Sequence, residues 1–229
     1  MKILVFGATG MVGQGVLREC LLASDVEAVR TVGRTATGVS HAKLHETVVP
    51  DLFDVGAYEG ELSGFDACFF CLGVSSAGMT EEAYTRLTYD LTMKVAEALT
   101  RLTASMIFVY VSGAGTDSSE HGRAMWARVK GRLENALLRL PFRAAYMFRP
   151  GLIVPLHGIK SKTKAYRILY VLLKPVLPLV WRAFPNQVVT TEELGRAMLI
   201  VARSGALKRV LETDDLRALL LSANSIKDR

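Results

Sequence analysis

The chain has 229 residues, half of them hydrophobic, which is enough for one sizeable core with a small appended lobe. Three cysteines and no leader-like opening exclude a secreted, disulfide-framed domain, and they predict a cytoplasmic location. The net charge of +6 is uneven, because residues 135–191 contain no Asp or Glu, which predicts an anionic partner or a solvated basic face there.

Short apolar runs alternate with stretches of helical periodicity along the first two thirds of the chain. Residues 2–6 predict a strand that stops at glycine, and residues 12–22 predict a helix. The later runs are continuously apolar, which is typical of parallel strands covered on both faces. The pattern predicts an α/β fold, a Rossmann-type doubly wound parallel sheet. Its further strands are predicted at 28–32, 47–49, 67–71, 106–111 and 144–148, and its helices at 80–102 and 120–140.

The pattern changes after residue 150, and residues 151–190 are predicted to form a small helical lobe on the substrate side of a single domain, 1–229. The stretch 168–184 is strongly apolar, but lysine, arginine and two prolines interrupt it before the ~20 apolar residues that a membrane-spanning helix needs. Short helices over a substrate pocket are expected, and a peripheral membrane contact through 160–184 is an open alternative.

The final segment returns to regular structure. Thr190 and Glu193 have the spacing of a capping box and predict a helix to residue 202. A last strand is expected at 209–211, and Thr213 is expected to cap a final helix that begins with two aspartates.

A glycine-rich loop, residues 7–13, lies between the first predicted strand and the first predicted helix. Gly7 permits a tight turn, Gly10 allows the backbone to approach a pyrophosphate, and Gly13 allows the helix to pack closely on the strand. The unpaired amides of the helix N-terminus favour an anion. The loop predicts a dinucleotide site, with a ligand-free tight turn as the alternative. The residues predicted to hold the phosphates are Gly7, Thr9, Gly10, Met11, Val12 and Gly13.

The end of the second predicted strand bears on the choice of dinucleotide. Arg34 and Thr35 stand where an acidic residue would accept hydrogen bonds from the ribose 2′-hydroxyl of NAD. A guanidinium can pair with the 2′-phosphate of NADP in a bidentate manner. The sequence therefore favours NADP(H) over NAD(H), unless Arg34 simply faces water.

Further segments follow the later predicted strands: Asp51-Leu52, Cys71-Leu72-Gly73, Val111-Ser112-Gly113 and Arg149-Pro150-Gly151. With the glycine loop, they resemble the atypical short-chain dehydrogenase/reductase superfamily, in particular its small NAD(P)H-binding, epimerase/dehydratase-like members, over essentially the whole chain. The resemblance implies three further contact regions: Asp51 and Leu52 by the adenine, Leu72 and Gly73 by the ribose and phosphates, and Pro150, Gly151 and Ile153 by the nicotinamide.

The same resemblance implies an active site with a serine, a tyrosine and, four residues later, a lysine that also holds the nicotinamide ribose. Ser112 and Lys130 match, but Trp126 stands at the tyrosine position. An indole N–H can donate a hydrogen bond but cannot deliver its proton at neutral pH. Because general acid catalysis contributes about 100- to 10,000-fold, ordinary carbonyl reduction is expected to be impaired unless Ser112, a water held by Lys130 or Tyr84 substitutes.

Two functions from different classes follow. One is an NADP-dependent oxidoreductase of small carbonyl substrates, with Ser112, Trp126 and Lys130 as catalytic residues. The other is a non-catalytic NADP(H)-binding redox sensor or regulatory protein. Nucleotide-sugar epimerisation is disfavoured by the small lobe. No nucleic-acid partner and no metal are expected, and a homodimer is possible.

Overall fold

In a computed structural model of the chain, residues 1–159 and 187–227 are described, with side chains up to residue 223. The described part contains a seven-stranded sheet, a two-stranded sheet and six α-helices. The strands are β1 (Lys2–Phe6), β2 (Ala28–Gly33), β3 (Leu44–Val48), β4 (Ala67–Phe70), β5 (Ile107–Val111), β6 (Ala144–Arg149), β7 (Leu152–Val154), β8 (Val188–Thr190) and β9 (Val210–Glu212). The helices are α1 (Met11–Leu22), α2 (Glu81–Thr85), α3 (Leu91–Leu102), α4 (Met125–Arg139), α5 (Thr191–Ser204) and α6 (Thr213–Lys227).

The large sheet has the order β3-β2-β1-β4-β5-β6-β9, and every neighbouring pair is parallel. This arrangement confirms the predicted Rossmann-type fold. Strand order reverses between β1 and β4, which places a crevice at the carboxyl ends of the strands.

Both faces of the central strands are buried, which explains the continuous apolar runs in β1, β4 and β5. In β1, Ile3 and Val5 belong to the core under α1 and α5, whereas Leu4 and Phe6 belong to the core under α3 and α4. Side chains alternate between the two faces of a strand, so a sheet covered on both sides needs hydrophobic residues throughout.

Two predicted helices have different bounds in the structure. The predicted helix 80–102 contains a wider π-helical turn, Arg86–Asp90, between α2 and α3. The predicted helix 120–140 begins only at Met125, because residues before it form a loop closed by Asp117. The Asp117 carboxylate accepts hydrogen bonds from the backbone amides of Ser119 at 3.0 Å and Gly122 at 2.6 Å. The capping box is present: Thr190 Oγ1 accepts from the Glu193 amide, and the Glu193 carboxylate accepts from the Thr190 amide.

The predicted substrate lobe is described only at its edges. β7 and β8 pair in parallel and join residues 152–154 to residues 188–190. The expected short helices and the expected membrane contact through 160–184 lie outside the described residues. Within the described ranges, no helix has both the length and the apolar character needed to span a bilayer.

Candidate functional site

A cleft of about 1110 Å³ opens at the carboxyl ends of the parallel strands. Loops after β1, β2, β4, β5 and β6 form its walls, and the N-terminus of α1 points into it. Most of the residues predicted for cofactor binding and catalysis line this one cleft. They are Gly7, Thr9, Gly10, Met11, Val12, Arg34, Thr35, Leu52, Leu72, Gly73, Ser112, Trp126, Lys130, Pro150, Gly151 and Ile153.

In the glycine loop, the backbone passes very close to neighbouring backbone segments. Gly7 has φ of +79°, and a Cβ there would lie 2.7 Å from the backbone of Leu72. Gly10 is the N-cap of α1 and supplies no capping side chain, and no acidic residue lies in the first turn. The first amides of α1 are thus left to a ligand, and a dinucleotide pyrophosphate fits this end of the cleft.

Two of the residues predicted to contact the cofactor do not line the cleft. Gly13 packs against the strand, since a Cβ there would lie 2.1 Å from the Gly7 carbonyl oxygen. This contact agrees with the structural role that the sequence indicated for Gly13. Asp51 is exposed, and its carboxylate accepts a hydrogen bond from the Phe53 amide at 2.9 Å.

The end of the cleft beyond β2 contains both a free cation and an engaged acid. Arg34 is exposed and has no ion-pair partner among the described residues. Glu46 on β3 also lines the cleft, and sequence reasoning missed it. Its carboxylate accepts from the amide of Thr37 at 2.7 Å and from the hydroxyl of Thr37 at 2.8 Å. Each oxygen of Glu46 therefore accepts one hydrogen bond from within the protein.

At the opposite end, α4 presents Trp126 and Lys130 to the cleft one turn apart. The Lys130 ammonium donates to the backbone carbonyl of Ser112 at 2.5 Å. Burial lowers the pKa of Lys130 to about 8, and the Glu134 carboxylate opposes this shift. The Trp126 indole lies over Gly115, where a Cβ would be 3.4 Å from the ring, and Gly115 has φ of +83°.

A buried ionic network that the sequence did not indicate lies behind Ser112. The Ser112 hydroxyl donates to the carboxylate of Glu134, which is 1% exposed. Arg149 at the end of β6 donates to the same carboxylate through Nε at 3.1 Å and Nη2 at 2.5 Å. Arg149 also reaches Glu212 at 3.1 Å and the Ser118 hydroxyl at 2.5 Å. Burial opposes the charge of Arg149, but its hydrogen bonds and charge interactions with Glu134 and Glu212 together raise its pKa.

The structure also shows the surroundings of other tyrosine, cysteine and histidine side chains that could take part in chemistry. Tyr84 is buried, and it lines the cleft. Burial holds the pKa of Tyr110 well above its usual value, so its hydroxyl stays protonated in the core. Burial also raises the pKa values of the Cys68 and Cys71 thiols, Cys71 to about 12. His45 lies in β3. The described residues contain no cluster of side chains that could hold a metal.

A parallel sheet with a crevice at its switch point and a glycine loop before the first helix defines a Rossmann-type dinucleotide-binding protein. Comparison with known families agrees. The model of the NAD(P)H-binding family matches residues 7–139, more than half of the chain. The chain belongs to this family.

Curated relatives include fungal and animal proteins. Protein FMP52, mitochondrial, of Eremothecium gossypii is 28% identical, and the match covers 98% of this chain and all of the relative. Protein HTATIP2 of Rattus norvegicus is 27% identical, with 67% of this chain and 63% of the relative covered. FMP52 proteins of other fungi are also similar, and they too are named mitochondrial. This finding overturns the cytoplasmic location expected from the cysteine count and the chain's opening residues, which do not distinguish between reducing compartments.

Solved structures share the fold at low sequence identity. The Bordetella bronchiseptica enzyme WbmF in complex with NAD⁺ has a TM-score of 0.69 at 16% identity, covering 94% of this chain and 76% of that one. A short-chain dehydrogenase/reductase family oxidoreductase from Burkholderia thailandensis has a TM-score of 0.66 at 18% identity, covering 100% and 97%. These matches establish the fold.

Proposed function

We propose that the protein binds NADP(H) in the cleft in preference to NAD(H), as a short-chain dehydrogenase/reductase-like protein. The observation that carries the proposal is Arg34: its guanidinium is exposed at the cleft and has no ion-pair partner among the described residues. Glu46 is the acid that lines this part of the cleft, and each of its carboxylate oxygens already accepts one hydrogen bond from Thr37, which weakens its competition for a ribose 2′-hydroxyl. The 2′-phosphate of NADP would meet an available cation in Arg34.

The test is a fluorescence titration of the purified protein with NADPH and NADH. We expect NADPH to bind more tightly, and Arg34→Ala to weaken NADPH binding about 10- to 100-fold, because hydrogen bonds to charged groups are worth about 1.5–3 kcal/mol. NADH affinity is expected to change little. Arg101→Ala, which removes an exposed arginine of α3 away from the cleft, is the matched control. Equal affinities for both cofactors before and after Arg34→Ala would refute the proposal.

We further propose that the protein binds NADP(H) but does not catalyse ordinary carbonyl reduction, and that it acts as a redox sensor or regulatory NADP(H)-binding protein. Bound NADPH can supply a hydride to a substrate carbon, but the carbonyl oxygen also needs a proton donor. Trp126 occupies the position that the family resemblance assigns to the donor, and an indole does not release its proton at neutral pH. The Ser112 hydroxyl already donates to Glu134. Neither group supports the usual role.

A second candidate is an NADP-dependent oxidoreductase of small carbonyl substrates with a different proton donor. The observation in its favour is that Lys130 lines the cleft with a pKa of about 8, near the value that suits a general acid at neutral pH. Tyr84 also lines the cleft and carries an exchangeable phenol proton.

One comparison separates the two candidates. Wild type, Trp126→Tyr and Trp126→Phe are assayed with NADPH against aldehydes, ketones and quinones. The redox-sensor proposal expects negligible turnover in the wild type and in Trp126→Phe, and at least 100-fold more in Trp126→Tyr. Brisk turnover in the wild type would reject that proposal and support the oxidoreductase, and Lys130→Met and Tyr84→Phe would then identify its donor.

A further inference from the structure

Glu134 occupies an unusual position for a charged residue. It lies one helical turn after Lys130 on α4, behind the cleft wall, and is 1% exposed. Its two carboxylate oxygens accept from two nitrogens of Arg149, Oε1 from Nε and Oε2 from Nη2, which makes a bidentate pair. The same carboxylate accepts from the Ser112 hydroxyl. Arg149 also donates a hydrogen bond to Glu212, which helps to hold the pair of Arg149 and Glu134 in place.

The hydrogen-bonding capacity of Ser112 is limited by this arrangement. A serine hydroxyl has one proton and two acceptor lone pairs. A carboxylate that is paired with a guanidinium has no proton to give back, so the hydroxyl must be the donor in its bond to Glu134. Thr116, whose Oγ1 lies 3.5 Å from Ser112 Oγ, has its own proton directed at the Gly113 carbonyl at 2.8 Å. What Ser112 can offer to the cleft is a lone pair.

We propose that Glu134 is a positioning residue that makes Ser112 a hydrogen-bond acceptor toward the cleft, so that the ligand group held there is itself a donor, such as an alcohol hydroxyl, rather than a carbonyl oxygen. The inference rests on the proposed function, because it concerns the ligand that shares the cleft with NADP(H). Lys130 adds complementary donors on the same wall: one N–H goes to the Ser112 carbonyl, and two remain. A hydroxyl can accept from Lys130 and donate to Ser112 at once, whereas a ketone oxygen can only accept.

The proton can be located directly by neutron diffraction from deuterated crystals of the wild-type protein. We expect the deuterium of Ser112 Oγ to lie on the line to the Glu134 carboxylate. A deuterium directed into the cleft, or one carried by Glu134, would overturn the inference. NADPH titration of the same protein separates the two proposals. Absent NADPH binding would remove the proposed function, whereas a cleft-directed deuterium would remove only this inference.

The variant Glu134→Gln tests the positioning role. Arg149 needs an acceptor, so we expect the amide oxygen to face Arg149 and the amide nitrogen to donate to Ser112, which turns the serine proton away. In the NADP complex, the wild type is expected to bind cyclohexanol about tenfold more tightly than cyclohexanone, the worth of one hydrogen bond. Glu134→Gln should remove or reverse this ratio.

Glu212→Gln is the matched control, because it removes the negative charge of another partner of Arg149 and leaves the bond between Ser112 and Glu134 in place. A purely structural role for Glu134 would weaken both ligands equally in Glu134→Gln and leave their ratio unchanged. That result, or a wild-type preference for the ketone, would contradict the inference. The wild-type neutron map decides the proton position even if Glu134→Gln fails to fold.

Discussion

The two ends of the cleft differ in the atoms that form them, which are backbone atoms at the glycine loop and side chains at α4. The phosphate end, where we place the pyrophosphate, consists of backbone: Gly7 and Gly10 turn the chain, and α1 begins at the cleft without a capping side chain. The substrate end consists of side chains, in which Trp126, Lys130 and Glu134 follow one another at successive turns of α4. This difference implies that cofactor binding and catalysis can change independently of each other. A backbone cradle needs only glycines at fixed positions, whereas a proton relay is lost when one side chain changes.

The largest expected effect is on the ionic network at the substrate end. Arg149→Met leaves the buried Glu134 carboxylate without its hydrogen-bonded counter-charge, and we expect the free energy of unfolding to fall by about 3–5 kcal/mol in urea titrations. Arg203→Met, which breaks the partly exposed pair with Asp25, should cost less than about 1 kcal/mol. Losses of equal size would show that Arg149 does not neutralise a buried charge.

Adding a single methyl group at Gly13 tests the phosphate end of the cleft. Gly13→Ala places a Cβ 2.1 Å from the Gly7 carbonyl oxygen, so α1 must move away from the turn. We expect a stability loss of about 1–3 kcal/mol together with lost NADPH binding, measured by unfolding and by fluorescence titration. A Cβ at Gly60 would meet no atom within 4 Å, which makes Gly60→Ala the control. Unchanged NADPH affinity in Gly13→Ala would separate the turn from cofactor binding.

The smallest effect is a pH dependence that links the two ends. Because burial lowers the pKa of Lys130 to about 8, its ammonium is present below this pH and is lost above it. If Lys130 contacts the cofactor, NADPH affinity should fall several-fold as the pH rises from 7 to 9. Lys130→Met should abolish this fall, whereas Lys94→Met, an exposed lysine of α3, should preserve it. A fall that begins only above pH 9.5 would indicate a lysine with an ordinary pKa.

The sequence predicted the sheet and the glycine turn before α1 well because both depend on local patterns. Continuous apolar runs predict strands covered on both faces, and glycine spacing predicts a turn regardless of the rest of the chain. The same reasoning could not show the π-helical turn at Arg86–Asp90, since one extra residue in a turn barely alters the apolar periodicity of the helix. Nor did it find the late start of α4, although Asp117 followed by serine and glycine is typical of a side-chain-closed turn.

The sequence indicated that Trp126 and Lys130 share one face of a helix, but it did not indicate the hydrogen bonds made by Glu134 behind them. The spacing of Trp126 and Lys130 placed both on one face of a helix, as the structure has them. Glu134 continues this spacing, but an acid four residues after a lysine on an amphipathic helix is usually a solvent-exposed ion pair. Its true partners are Ser112, directly after β5, and Arg149, at the end of β6, and they meet it only in the folded chain. A contact between residues far apart in sequence leaves no periodic signal.

The contact between α1 and α5 has a practical consequence. A Cβ on Gly15 would lie 2.5 Å from the Cβ of Thr191, and one on Gly195 would lie 2.8 Å from the side chain of Glu19. The helix whose N-terminus lines the cleft thus packs directly on main chain from the last quarter of the protein. A fragment trimmed to the matched residues 7–139 would strip α1 of this support, so an NADPH-responsive probe engineered from this protein must retain α5.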